Sequence, residues 1–196
     1  AGQIVAGGQT MNPSTQELLA AVEATPAEDV IILPNNSNIV MADEQARQLS
    51  HKRVHVVSRK TIPQGISQLI AFPPSDSVED NIKAMTHALG AIQTGEITVA
   101  VRSAAFDGIR VEAGEMIGLL NDVLTAHGGN AQDVALELLR QMQADAREII
   151  TVYYGQPVNE AEAMAMQGLL LEMFPEQAVE LVNGGQPHYH YIVSVE

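Results

Sequence analysis

The chain contains no cysteine. Without thiols there is no disulfide, no thiolate nucleophile and no cysteine-ligated zinc or iron–sulfur site, a usage that fits a reducing, cytoplasmic compartment. Positive charge is also scarce: 10 Lys and Arg stand against 24 Asp and Glu, for a formal net charge of -14. Such a surface repels phosphate backbones and anionic lipid at long range, which excludes nucleic acid and argues against membrane partners. No apolar run approaches the roughly 20 residues needed to cross a bilayer, and no basic segment precedes an apolar one as in a secretion signal. The chain has neither G-x-x-x-x-G-K-[ST] nor G-x-G-x-x-G, so both familiar Gly-rich phosphate cradles are missing, and Gly7-Gly8 is too short to replace them. It also lacks an initiator Met, and the expectation is a domain excised from a longer protein.

What is present is a folding sequence. Of its 196 residues 46% are hydrophobic and 17% charged, enough to bury one large core or two small ones. The first third repeats one pattern three times, a short apolar strand, a polar loop and an amphipathic helix: residues 3–6 then 14–24, 30–33 then 37–49, and 54–57 then 63–71. Repeated βα units of this length predict a parallel sheet covered by helices. Ser14 stands three before Glu17 like a capping box. Ile39, Ala42, Ala46 and Leu49 follow helical spacing, and Pro63 suits a first helical turn.

In such a sheet the three polar loops leave the carboxyl ends of parallel strands and gather on one edge, where open α/β sheets tend to bind ligands. The loops are 7–14, 34–38 and 58–65, and each ends at the free N–H groups of a helix N-terminus. Their amides and hydroxyls, with Arg59 and Lys60 as the cations, suit a carboxylate, a phosphate monoester or another protein's loop. The candidate ligand- or partner-binding edge is Gln9, Thr10, Asn12, Ser14, Asn35, Asn36, Lys60, Thr61 and Gln64. Each Asn, Ser and Thr is individually explained as well by a cap or turn.

Pro73-Pro74-Ser75-Asp76 marks a boundary between a parallel α/β subdomain, 1–75, and an α+β subdomain, 76–196. A helix begins at Ser77 with Val78, Ile82, Met85, Leu89 and Ile92 as its core stripe. Period-two alternation from Glu96, with turns at 106–108 and 112–115, predicts a small antiparallel meander with strands near 97–101, 110–112, 116–120 and 123–126. Helices capped by Asn130 and Asn159 follow at 131–145 and 160–174, with strands at 148–154, 178–182 and 189–195.

No compact set of catalytic groups emerges, and no catalytic residue is assigned. Ser14 and Thr10 have no base in their own loops. The acidic pairs Glu28-Asp29, Asp43-Glu44 and Glu79-Asp80 sit in loops or first helical turns, where solvation and the helix dipole explain them. Of the six histidines, only His188 and His190 share a strand face, and a third ligand is not evident nearby, so no metal site is assigned.

The runs "IVAGGQTMNPST", "VIILPNNSNI", "KTIPQG" and "ITVYYGQPV", with the ending "GGQPHYHYIVSVE", closely resemble the C-terminal region of the ATP-binding subunits of bacterial fatty-acid kinases, in the dihydroxyacetone-kinase-like family. The resemblance covers nearly the whole chain. It implies a DegV-like, two-subdomain α/β fold, in agreement with the pattern above. It further implies a longer protein whose N-terminal domain binds ATP and magnesium through clustered aspartates, whose middle domain makes a homodimer, and whose C-terminal region helps engage a separate DegV-type fatty-acid-binding protein. The acid's carboxyl group is then phosphorylated.

Two departures qualify that resemblance. No aspartate cluster of the required kind occurs, so this chain alone is expected to hold no cofactor and turn over no ATP. Where DegV-type proteins hold the fatty-acid carboxylate with a Thr-Ser-x-Pro-Ser type loop, the first loop here reads Thr10-Met11-Asn12-Pro13-Ser14. No histidine occurs in the three loops, against the covalent histidine that dihydroxyacetone kinases use. The resulting reading is a non-catalytic domain that docks the acyl-carrying partner. The alternatives are a fatty-acid or other small carboxylate- or phosphate-binding module using the same loops, and an independent enzyme such as a hydrolase.

Overall fold

Ser14 accepts a hydrogen bond from the Glu17 amide at 3.3 Å, and the Glu17 carboxylate accepts one from the Ser14 amide at 2.8 Å. This reciprocal capping box opens α1 (Thr15–Ala24). At the other end of the helix the Lys52 ammonium donates to the carbonyls of Val22, Glu23 and Thr25 at 3.0, 2.9 and 2.5 Å. A cation placed there satisfies orphan carbonyls and complements the negative end of the helix dipole.

The computed structural model describes residues 2–7, 12–34, 39–57, 61–73, 76–106 and 108–196. They divide into two compact units, Ala1–Ala91 and Ile92–Glu196. In the first, α1 is followed by β1 (Asp29–Ile32), α2 (Val40–Leu49), β2 (Arg53–Val56), α3 (Ile62–Ile70) and α4 (Val78–Ala88). β1 and β2 pair in parallel with Asp29 opposite Arg53. That register is locked by a bidentate ion pair, Arg53 Nε and Nη2 donating to the two Asp29 oxygens at 2.8 and 2.6 Å. Helix α4 packs on α3, so the first unit extends past the proline-rich boundary at 73–76 and includes a helix that the sequence pattern assigned to the second.

The strand expected at residues 3–6 does not form: the segment has no regular secondary structure and pairs with no strand among the described residues. Ile4 is 89% exposed, so the run has no continuous apolar face to bury. The first unit thus keeps a two-stranded parallel sheet among its described residues.

The second unit is built from β3 (Gln93–Val99), β4 (Ala104–Phe106), β5 (Ile109–Val111), β6 (Met116–Leu120), β7 (Val123–Gly128), α5 (Ala131–Gln141), β8 (Ile149–Tyr154), α6 (Glu160–Met173), β9 (Ala178–Asn183) and β10 (Tyr191–Val195). Six of these strands form one sheet in the order β7-β6-β3-β10-β8-β9, with β4 and β5 a separate hairpin. Neighbours in the large sheet run antiparallel except β8 and β9, which are parallel across the α6 crossover. Asn130 and Asn159 cap α5 and α6 through the amides of Asp133 and Glu162 at 2.9 and 3.0 Å.

Both helices feed one core of Leu138, Leu139, Met142, Met166 and Leu170 against Ile97, Ile150, Val152 and Val193. Leu138 presses directly on bare backbone. A Cβ at Gly95 would lie 3.0 Å from Leu138 Cδ1, and one at Gly118 would lie 2.9 Å from the same atom.

Replacing Leu138 by Ala should cost about 2–5 kcal/mol, because the rigid sheet below cannot collapse into the space. Urea denaturation measures it; a loss under about 1 kcal/mol would show that this contact does not anchor the unit.

Candidate functional site

The first unit carries a pocket of about 390 Å³, partly open to solvent, within the range of small-molecule sites. Segment 2–5 forms one wall, Leu18 and Val22 of α1 another, and β1 with Ile39 and Leu69 the rest. Its lining is mainly aliphatic because each surrounding element turns an apolar side toward it.

One side chain breaks that character. Asp43, in the first turn of α2, is fully buried, lines the cavity, and has no hydrogen-bond partner for either carboxylate oxygen. Burial pushes its pKa from 3.8 up to about 6, since a low-dielectric surrounding disfavours the charged form. The positive end of α2 opposes that cost but supplies no hydrogen bond to it.

The residues singled out in the sequence are distributed differently. Gln9, Thr10, Asn35, Asn36 and Lys60 lie outside the described residues. Asn12 is exposed. Ser14 is exposed too, but its hydroxyl and amide are engaged with Glu17 as the α1 cap. Thr61, the N-cap residue of α3, is fully buried, and Gln64 is half-buried in the first turn. Of the described residues of this edge, Asn12 and Ser14 are thus exposed, Thr61 is buried and Gln64 is half-buried.

The sequence pattern pairs Asp43 with Glu44 in a first helical turn and explains both by solvation and the helix dipole; the structure corrects this for Asp43, which is fully buried. The apolar residues at helical spacing are Ile39, Ala42, Ala46 and Leu49, whereas the buried residues are Ile39, Asp43 and Ala46, and Leu49 is exposed. The 39-43-46 spacing is equally helical. A rule that admits only apolar residues to the buried face passes over the acid.

A second buried acid lies in the other unit. Glu96 on β3 is pushed from 4.5 up to about 7, mainly by burial and then by the Asp122 charge, with a Tyr189 hydrogen bond pulling the other way. Tyr189 is itself raised to about 12 by burial and by Glu96. Among the described residues no group of three or more His, Cys, Asp or Glu is placed to hold a metal ion.

The chain's relatives share this region. A family model for FakA-like C-terminal regions, those of fatty acid kinase subunits, matches residues 1–196. Protein YloV of Bacillus subtilis is 40% identical over the whole chain, which covers 35% of that protein, and the uncharacterized protein SAR1202 of Staphylococcus aureus is 38% identical, with 36% of its length covered. The chain thus spans about a third of the length of these curated relatives. Among solved structures, the Streptococcus pneumoniae fatty acid kinase B3 protein loaded with linoleic acid superposes with a TM-score of 0.64 at 13% identity, over 94% of this chain and 76% of that one. A fatty-acid-binding DegV family protein from Thermus thermophilus gives 0.63 at 16%, over 94% and 78%. The dihydroxyacetone kinase of C. freundii gives 0.61 at 12%, over 93% and 41%. At these identities the likeness is one of fold, and the fold is DegV-like, as the sequence resemblance implied.

Because the folded-state pKa of Asp43 is raised, its neutral form contributes stability that is complete below about pH 4 and is lost as the pH rises through about 6. Asp43→Asn stays neutral throughout, so its stability relative to the unmodified chain should rise by at most about 3 kcal/mol between about pH 4 and 7.5. Urea midpoints at the two pH values measure this; a difference independent of pH would mean that the carboxyl is not desolvated.

Proposed function

We propose, because the chain belongs to the family of FakA-like C-terminal regions of fatty acid kinases, that it is the non-catalytic part of a cytoplasmic fatty-acid kinase subunit. In this reading it docks a DegV-type protein carrying the acyl group. ATP and magnesium act from another part of the longer protein, where the acid's carboxyl group is phosphorylated. Among the described residues, no helix is long and apolar enough to cross a membrane.

The observation that supports docking is the inside-out packing of α3. Gln68 is fully buried with neither end of its amide hydrogen-bonded, while Ile66, Leu69 and Ile70 are 40, 44 and 81% exposed. Phe72 extends the same exposed apolar run beyond the helix. A helix that buries an unpaired amide and shows three aliphatic side chains to water is arranged against its own hydrophobic driving force. A partner surface covering Ile66 and Ile70 recovers that energy, and it meets the chain just past the third polar loop.

The cavity favours a second reading, a small-molecule-binding module with an apolar tail inside the first unit. The two make different demands, since a ligand binds the chain alone and docking needs a second protein.

In the full-length protein, Ile66→Asp with Ile70→Asp should weaken binding of the acyl-loaded partner by tenfold or more, about 1.4 kcal/mol, with the circular dichroism unchanged because both side chains are exposed. Calorimetric titration reads the affinity. An unaltered dissociation constant removes α3 from the interface. Native mass spectrometry of the purified chain decides the second reading: a co-purifying lipid mass supports the binding module, and a bare chain that complexes only with the partner supports docking.

A further inference from the structure

Helix α6 buries Ala163, Met166 and Leu170 in the core of the second unit and turns an apolar face to water as well. Met164 is 58% and Leu171 49% exposed, and Ala161, Ala165 and Gly168 share that exposed face at helical spacing. A helix covered on one side normally carries polar residues on the other, whereas this one is apolar on both. Gly168, at the centre of the face, is not required by the fold. A Cβ there would meet nothing within 4 Å, and glycine weakens a helix. Its bare backbone leaves room for a second helix to lie close, since the side chains at a contact set how near two helices come.

The ends of the face carry a charge that the chain does not answer. Cations close other helices of this protein: Arg47 stands in the last turn of α2, Arg140 in that of α5, and Lys52 caps α1. The last turn of α6 has no basic residue and holds Glu172, at the negative end of the helix dipole, with Glu176 just beyond. Residues 148–196 contain no Lys or Arg, and among the described residues neither acid makes a salt bridge. Glu160 and Glu162 hold the other end. We propose that this face docks an amphipathic helix of a partner protein, apolar where it meets Met164, Gly168 and Leu171 and carrying Lys or Arg that reaches Glu172 and Glu176. Such a cation does for α6 what Lys52 does for α1. A second copy of this chain is the wrong occupant, because copies joined through this face in either direction bring acids against acids. The surface lies in the second unit, so the proposal goes beyond docking through α3 and depends neither on it nor on the cavity.

The probe is a fluorescein-labelled helical peptide about as long as α6, with a Leu and Ala stripe flanked by lysines, added to the chain and followed by fluorescence anisotropy. Two controls accompany it: the same peptide with Glu in place of Lys, and a scrambled peptide of unchanged composition, which reports mere attraction to the net charge of -14. The lysine peptide should bind roughly tenfold more tightly than either. Gly168→Gln keeps the charge and fills the approach, so it should weaken the lysine peptide about tenfold. The same variant should raise the melting temperature by about 2 °C, because glutamine is the better helix former. Glu172→Gln should weaken the peptide by about threefold. A scrambled peptide that binds equally well, an affinity unmoved in Gly168→Gln, or a lowered melting temperature in that variant would each overturn the proposal. So would a dimer of the chain in sedimentation that Gly168→Gln dissolves. Binding to the chain but not to the full-length protein overturns it too, by showing that the rest of that protein already covers the face. Partner binding in the preceding experiment still judges α3 separately.

Discussion

Leu138 lies across the bare backbones of Gly95 and Gly118, and that close approach of helix to sheet organises the second unit. Without a Cβ at either strand position, α5 settles deep enough to close the apolar core over β3 and β6. Met142 and Leu139 follow into the same core, with Met166 and Leu170 of α6 beside them. The β8-α6-β9 crossover then adds its parallel edge to an otherwise antiparallel sheet. Interiors packed this closely respond to a single missing methylene, so the unit behaves as a rigid body of aliphatic side chains.

The first unit is made by different means. Its sheet has two short strands, and much of its order comes from polar contacts: the Ser14–Glu17 capping box, the Lys52 ammonium on three carbonyls, and the Asp29–Arg53 pair across the strands. Packing is also less economical there. Asp43 and Gln68 are buried with unpaired polar atoms, and α3 turns Ile66 and Ile70 to water. Local violations of hydrophobic logic are where function is sought, because folding alone gives no reason to keep them. Cavity and exposed helix face lie in the same unit, with Leu69 both lining the one and extending the other.

Membership in a fatty-acid-kinase-related family and a DegV-like fold give these features their context, but neither assigns them a role. Proteins of this fold that carry fatty acids share 13 and 16% of their residues with this chain, too little to transfer a binding site residue by residue. Against a Thr-Ser-x-Pro-Ser type loop, the first loop has Met11 in place of the serine.

Caps and periodicity were legible from the sequence alone. Ser14, Ser77, Asn130 and Asn159 all accept from the amide three residues on, as their spacing predicted, because capping is settled within one turn of chain. The alternation beginning near Glu96 located β3, β6 and β7 for a similar reason, since neighbouring positions decide which face is apolar, whereas β4 carried no such pattern and β5 pairs with it in a separate hairpin. What the sequence left undetermined depends on partners distant along the chain. Residues 3–6 have the composition of a strand but no strand to pair with among the described residues. The α2 stripe rotates to bury Asp43 instead of Leu49, and α3 buries Gln68 instead of Ile70. Local spacing shows that a helix has faces; only the surrounding elements decide which face loses its water, and with it where this protein keeps an unpaired carboxyl and an uncovered apolar surface.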